Sequence, residues 1–519
     1  MNKKVLVIGL DGGTWNIIKP LVKKGKLPTI AKLMESGCYG DLESSIPHVT
    51  FPAWKCYSTG KNPGKLGVYW WIDLDTKSKK LIVNSSNSFK SLEIWDYLGA
   101  YGIKCGVIGM PTTYPPKKVS GFMVSEFNPS DSEYTYPREL ENELKNKFEF
   151  IAEFSDYHGE DKRKMIEDRI RIMKQRFDAT RYLAKKFNPG FLNLTIFHID
   201  NIQHFYWKYM ENNDPAFGEV IENSWVFIDS ELEMLLEEFD PTHVIVLSDH
   251  GFTSLKAIFN LQMWLISKGY LILESKFLRL LNKIGLLTQV ASIVKRIIMR
   301  RSDGKKNSKA LIATTNVFLD LIDWENSKVV ALGEGLLYIN KNTFKNSNKF
   351  EIFHKKLIKE LLEIKNPKID EFIVKNVFRR EEIYNGEYTH FAPDLAILPN
   401  EGYEIISAGL SKKLWEFNPK EEGWSATHKL HGIFIAYGKD IKRGHEIKGA
   451  KIYDIAPTIL HIFGLPIPKD IDGRVLRGIF EEDSELNREA VYVDSSYYEE
   501  SEEERIRERI KELKSKRKI

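Results

Sequence analysis

Five short segments of this chain carry residue types that hold divalent cations or attack phosphorus. Asp200 and His204 stand four apart in D-N-I-Q-H, and they meet on one face if the segment opens a helix. Asp249 and His250 are adjacent in S-D-H-G-F, where the following Gly permits a tight turn that aims both side chains. Asp11 closes the apolar run V-L-V-I-G-L-D-G-G. His428 and His431 lie in T-H-K-L-H-G, just before another apolar run, and either is a possible ligand. Carboxylate oxygens and imidazole nitrogens without thiolates suit zinc, with manganese or magnesium as alternatives. Thr50 lies in P-H-V-T-F-P-A-W, ahead of a Pro that can pre-set a helix start. A hydroxyl there would face free backbone N–H groups and the positive end of the helix dipole, a place for an anion. Thr is also a favoured N-cap, so its position alone does not make it chemical. A Thr hydroxyl needs a base or a metal before it attacks. Two cations about 4 Å apart can activate the attacking oxygen and stabilise the leaving oxygen of an in-line displacement, with about six Asp and His ligands.

The elements that must position these residues are legible as short apolar runs. Val5 to Leu10, Lys104 to Met110, Gly190 to His198, His243 to Leu247 and Gly432 to Tyr437 read as strands of a sheet buried on both faces. Helical patterns lie between them: Thr14 to Ser36, expected to break at Pro20 and Pro28, then Ser91 to Tyr101 and the long charged Asp161 to Phe187. Strands alternating with helices indicate an α/β fold with a mostly parallel sheet. Ligands then belong at the carboxyl ends of strands, which is where Asp11, Asp200 and Asp249 fall. An Asp in such a place also caps helices, but three of them with histidines attached are hard to explain that way.

Composition narrows the class. Lys and Arg number 76 against 72 Asp and Glu, a net charge of +4, so no strongly basic nucleic-acid surface is expected. Cys38, Cys56 and Cys105 are too few and too scattered for a disulfide framework, which favours a reducing, cytoplasmic compartment. The apolar run at the start is shorter than the core of a signal peptide, and no run of 18 apolar residues predicts a transmembrane segment. Residues 277–301, ending V-K-R-I-I-M-R-R, read as a basic amphipathic helix that packs on the fold or meets a membrane or partner. The tail from Glu499 is almost wholly charged and should carry no chemistry.

Taken in order, the motifs resemble those of the type I phosphodiesterase and nucleotide pyrophosphatase group of the alkaline phosphatase superfamily. The resemblance rests on V-L-V-I-G-L-D-G, V-T-F-P-A-W with T-G-K-N-P-G, D-N-I-Q-H-F-Y-W-K, V-L-S-D-H-G-F, H-K-L-H-G-I-F-I-A-Y-G and D-I-A-P-T-I-L-H-I-F-G-L-P-I-P with D-G-R. Within the central insertion, A-L-G-E-G-L-L-Y-I-N and F-A-P-D-L-A-I-L-P-N are also similar. The resemblance implies a three-layer α/β/α sandwich with an inserted cap. It implies that Asp11, Asp249 and His250 hold one cation with Thr50, and that Asp200, His204 and His428 hold the other, His431 being the less favoured alternative. It implies hydrolysis of a phosphodiester or pyrophosphate through a phospho-threonine intermediate. Two departures bear on specificity. Ala53 stands where nucleotide pyrophosphatases carry an Asn that supports a phosphoryl oxygen, and Leu66 stands where many relatives show His.

The expected organisation is a core of residues 1–254, a cap over 255–385 that shapes substrate choice, a second core part over 386–485, and a charged tail over 486–519. A small-molecule phosphate ester is the expected substrate. A phosphomonoesterase or phosphotransferase is the enzymatic alternative, and an inactive binding protein on the same fold is the alternative of another class.

Overall fold

A computed structural model describes residues 3–89, 91–126, 132–152, 161–276, 278–279, 318–407, 413–417 and 424–498. Almost all of the basic stretch over 277–301, and the charged tail from Glu499, lie outside the described residues.

Nine strands form the central sheet: β1 (Val5–Leu10), β2 (Cys38–Glu43), β3 (Cys105–Ile108), β4 (Gly121–Val124), β5 (Thr135–Tyr136), β6 (Phe191–Ile196), β7 (His243–Leu247), β8 (His431–Gly438) and β9 (His445–Lys451). Their spatial order is β9-β2-β8-β7-β1-β6-β3-β4-β5. Seven strands share one direction, and only β8 and β5 oppose it. The residues of β1 show why such strands read as continuous apolar runs. Val5 and Val7 enter one core with helices α3 (Thr50–Thr59), α4 (Ile94–Ala100) and α8 (Ile455–Phe463). Leu6, Ile8 and Leu10 enter another with α1 (Trp15–Lys23), α2 (Pro28–Glu35), α5 (Lys162–Phe187), α6 (His198–Glu211) and α7 (Val220–Phe239). Alternate side chains point to opposite faces, and here both faces are covered. The fold is the three-layer α/β/α sandwich of the alkaline phosphatase type.

One expectation about the helices needs correcting. The expected break before Pro28 is present: α1 ends at Lys23 and Pro28 opens α2 at its first turn. Pro20 does not break it: α1 runs from Trp15 to Lys23 with Pro20 inside. The lost hydrogen bond is offset because Trp15, Ile17, Ile18 and Leu21 of this short helix are all buried against the sheet.

A third core lies over the carboxyl ends of the strands. It is built from a four-stranded sheet of Val329–Leu332, Leu336–Ile339, Leu395–Pro399 and Val374–Arg379 with the helix Ser347–Leu362. A three-stranded sheet joins Ala257–Asn260 with Tyr403–Ile406 and Trp415–Glu416 beside it.

The helix that begins with Thr50 is fixed from behind by a buried ion pair. Lys55 Nζ is 2.6 Å from Glu93 Oε1, with both side chains at most 4 % exposed, and Lys117 Nζ is 2.7 Å from Glu93 Oε2. Burial alone would raise the Glu93 carboxyl, but Lys117 and Lys55 hold it down to about 2. Its contribution to stability is therefore present above the ordinary value near 4.5 and is lost as pH falls towards about 2. Glu93→Gln should destabilise the fold by about 3–5 kcal/mol by stranding the Lys55 charge, whereas Lys55→Met with Glu93→Leu should recover most of that loss. Urea unfolding of the single and double variants checks this. Equal losses in both would show that the pair itself, not the stranded charge, sets the cost.

Candidate metal centre

The sheet delivers its ligand-type residues to one end. Asp11 follows the last residue of β1, and Asp249 and His250 follow β7 after Ser248. Beyond β6 the chain turns directly into α6, so Asp200 falls in the first helical turn and His204 one turn later on the same face. The histidine motif reaches the same end by another route. Because β8 runs against β7, its beginning, not its end, lies level with these carboxylates. The preceding strand Ala426–Lys429 pairs with Gly251–Ser254, setting His428 opposite Phe252.

Two groups of donors result. Asp200, His204 and His428 offer ligand atoms within 4.8 Å of one another, and so do Asp11, Asp200 and His250. Asp249 adjoins the second group, its Oδ2 lying 3.3 Å from His250 Nε2. Thr50 Oγ1 is 3.5 Å from the same nitrogen. His431 belongs to neither group. Thr50 is the first residue of α3, with Val49 as the cap and no capping bond from a side chain.

The donors are turned inward by their other atoms. His204 Nδ1 donates to the Ala426 carbonyl at 2.8 Å, and His250 Nδ1 to the Gly251 carbonyl at 3.2 Å. A carbonyl only accepts, so both rings present a bare Nε2 to the centre. Asp11 Oδ2 accepts from the Trp54 indole at 2.7 Å, and Asp249 Oδ1 from the Gly12 amide at 3.2 Å. Asp11 Oδ1, Asp249 Oδ2 and Asp200 Oδ1 accept no aligned hydrogen bond although all are buried. Three buried carboxylate oxygens without donors, facing three imidazole nitrogens, carry a large desolvation cost that divalent cations relieve. The residues present therefore fit a pair of such ions, by donor type as well as by placement.

Three further participants are not marked by the ligand motifs. Trp54 lies one helical turn beyond Thr50, and that spacing is the signal that places its indole over the same site. It also explains Gly9: a Cβ there would come within 2.5 Å of the Trp54 ring. His48 is buried beside His428, and burial pushes its pKa down to about 3. Trp424 stacks on the His204 ring at 3.6 Å, and nothing in its sequence surroundings marks it.

Without cations, protons occupy the centre. Burial pushes Asp11 well above the carboxylate range, with Asp249 and Asp200 adding to it, and pushes Asp249 up to about 7. Burial opposes charge on His428, yet the Asp200 carboxylate beside it outweighs that and raises its pKa to about 9. Burial lowers His204 to about 4. Cations must displace the proton on His428, and below about 7 that on Asp249 as well, so affinity should fall as pH drops below about 9 and more steeply below about 7. Each displaced proton gives about a tenfold loss per pH unit. Calorimetry in buffers of different ionisation enthalpy measures the protons released, and a pH-independent affinity would contradict this account.

Buried carboxylates and imidazoles gathered at the strand ends of an α/β/α sandwich are suited to phosphoester hydrolysis. The chain belongs to the type I phosphodiesterase / nucleotide pyrophosphatase family, whose model matches residues 5–432. No curated protein matches it. Among solved structures it is similar to phosphonoacetate hydrolase from Sinorhizobium meliloti 1021. The complex of that protein with phosphonoacetate has a TM-score of 0.56 at 13% identity, and the complex with phosphonoformate 0.52 at 12%. Both comparisons cover 88% of this chain and 94% of the other, and at such identity they speak for the fold alone. Among the described residues no helix is long and apolar enough to cross a membrane.

Proposed function

We propose that this protein is a two-cation phosphodiesterase that attacks phosphorus with Thr50 and passes through a phospho-threonine intermediate. One observation carries the reading: donorless oxygens of Asp11, Asp200 and Asp249 and the Nε2 atoms of His204, His250 and His428 converge beside a hydroxyl at a helix start. Divalent cations held by these residues would supply positive charge for the phosphoryl oxygens and lower the pKa of the attacking hydroxyl. In the first step Thr50 Oγ1 bonds to phosphorus and the alcohol leaves; in the second, water takes the place of Thr50 and frees the phosphate product. The amides of Thr50 and Phe51 open α3, where N–H groups have no partner within the helix, and they are available to phosphoryl oxygens. Pro52 has no N–H, and that of Ala53 is used by the Val49 carbonyl at 3.1 Å. Trp54 keeps Asp11 from rotating.

Zinc is the favoured ion, with manganese and magnesium as alternatives, because the ligands mix nitrogen and oxygen without sulfur. A panel of chromogenic phosphodiesters and monoesters with each ion is the test, run beside elemental analysis of loaded, desalted protein. About two ions per chain and diester turnover that a chelator abolishes are expected. Turnover by metal-free protein would sink the reading. Product transfer to an added alcohol in place of release to water would move it to a phosphotransferase.

A further inference from the structure

The strands Val329–Leu332 and Leu336–Ile339 pair with Leu332 opposite Leu336, so their connection is Gly333-Glu334-Gly335 alone. Both glycines lie in the left-handed region, at φ +61° and +73°, where a side chain would be strained. A Cβ on Gly333 would sit 2.6 Å from the Trp70 indole, so the tip is pressed flat against that ring. The Gly333 carbonyl accepts from the Ser407 amide at 3.0 Å and the Gly335 carbonyl from the Ile397 amide at 2.9 Å. The tip is thus held from both sides, and Glu334 is the only side chain it presents.

Glu334 lines one cavity with His428, Thr427, His48 and Tyr403, and Val49, the residue before the nucleophile, closes it. The cavity therefore borders the metal centre, and Glu334, whose carboxyl burial raises while the His428 charge lowers it, is within electrostatic reach of His428 and Asp200. Glu334 is half-buried as a residue, and its carboxylate forms no hydrogen bond or ion pair with a described residue. Glu404 lies on the same wall, and no described Lys or Arg lines the cavity. A pyrophosphate chain extending this way would bring further negative charge against a carboxylate with no described Lys or Arg to meet it. A positively charged group would find a partner already held in place.

We propose that Glu334 is a specificity-determining residue that selects phosphodiesters whose cap-side substituent carries a positive charge, an amino or quaternary ammonium alcohol, over nucleotides and other polyanions. The proposal rests on the phosphodiesterase reading of the centre. Its test uses matched p-nitrophenyl phosphodiesters whose second ester arm ends in methyl, hydroxyl, ammonium or carboxylate. With the cation-loaded protein, kcat/KM for the ammonium arm should exceed that for the methyl arm by about tenfold, the order expected of a partly exposed charge pair. Added salt should shrink that ratio. Glu334→Gln should bring the ratio close to one, and Glu334→Lys should make the carboxylate arm the better substrate, in variants whose thermal melting matches the parent. An unchanged ratio in Glu334→Gln, or a hydroxyl arm as good as the ammonium arm, overturns the proposal. Failure of the parent protein to cleave any arm with any of the three cations overturns the phosphodiesterase reading, and the proposal with it.

Discussion

Thr50→Ala is expected to retain the fold and most of the bound cations while losing about three to five orders of magnitude in kcat/KM. The side chain is small and buried at a helix start, so its removal opens little space. The loss should fall on the chemical step, because the remaining oxygen and nitrogen donors still hold their places without it. Thr50→Ser should recover part of the rate. The hydroxyl returns, but the methyl group that restrains its rotamer does not. Metal content measured on the same preparations separates a lost nucleophile from a lost ion. The stereochemistry is a stricter check. Attack by Thr50 followed by attack by water makes two in-line displacements, so a chiral phosphorothioate diester should be cleaved with overall retention at phosphorus. Inversion would mean that water attacks in a single step, leaving Thr50 only a contact to the cation or the phosphate.

The sequence exposes such a hydroxyl because local rules and chemistry agree there. Val5 to Leu10 is apolar throughout since both faces of β1 are covered, and the first polar residue after it is Asp11. The same logic exposes Asp249 after β7 and Asp200 after β6. What local rules cannot show is direction across the sheet. The run from Gly432 reads like the other buried strands, yet β8 is antiparallel, and only that reversal brings the residues before it to the ligand end. The roles of Trp54, His48 and Trp424 do not follow from their local sequence for a similar reason, although the spacing of Trp54 from Thr50 marks its place. Each acts through a neighbour distant in sequence: Trp54 through Asp11, His48 beside His428, Trp424 through His204. Pro20 stays inside α1 against its propensity because the helix around it is buried, which local rules do not weigh. Glu334 lay within a motif that marks only a turn, and its meaning depends on what the turn points at.

Asp200→Asn is expected to abolish activity and, more tellingly, to empty both cation positions. The resemblance assigns Asp200 to one ion, with His204 and His428, and assigns Asp11, Asp249 and His250 to the other. The geometry keeps that grouping and also brings Asp200 within reach of the other group. Its Oδ2 is 3.5 Å from His204 Nε2 and its Oδ1 is 3.3 Å from His428 Nε2, yet it also falls within ligand reach of Asp11 and His250. A carboxylate shared in this way screens one cation from the other, and an amide in its place would leave two like charges about 4 Å apart without that screen. Desalted Asp200→Asn protein should then hold close to no tightly bound metal, while His204→Asn, which touches one group only, should hold about one ion per chain. Equal stoichiometry in the two variants would return Asp200 to a single ion and uphold the partition that the resemblance implies. Stability supplies an independent readout. In metal-free protein the crowded carboxyls of Asp11, Asp200 and Asp249 repel one another, which is part of what raises Asp11 so far. Removing the Asp200 charge relieves that repulsion but also strands the His428 imidazolium, so the metal-free variant should melt no higher than the metal-free parent. Adding zinc should widen the gap, because only the parent gains stability from ions that bind the folded state.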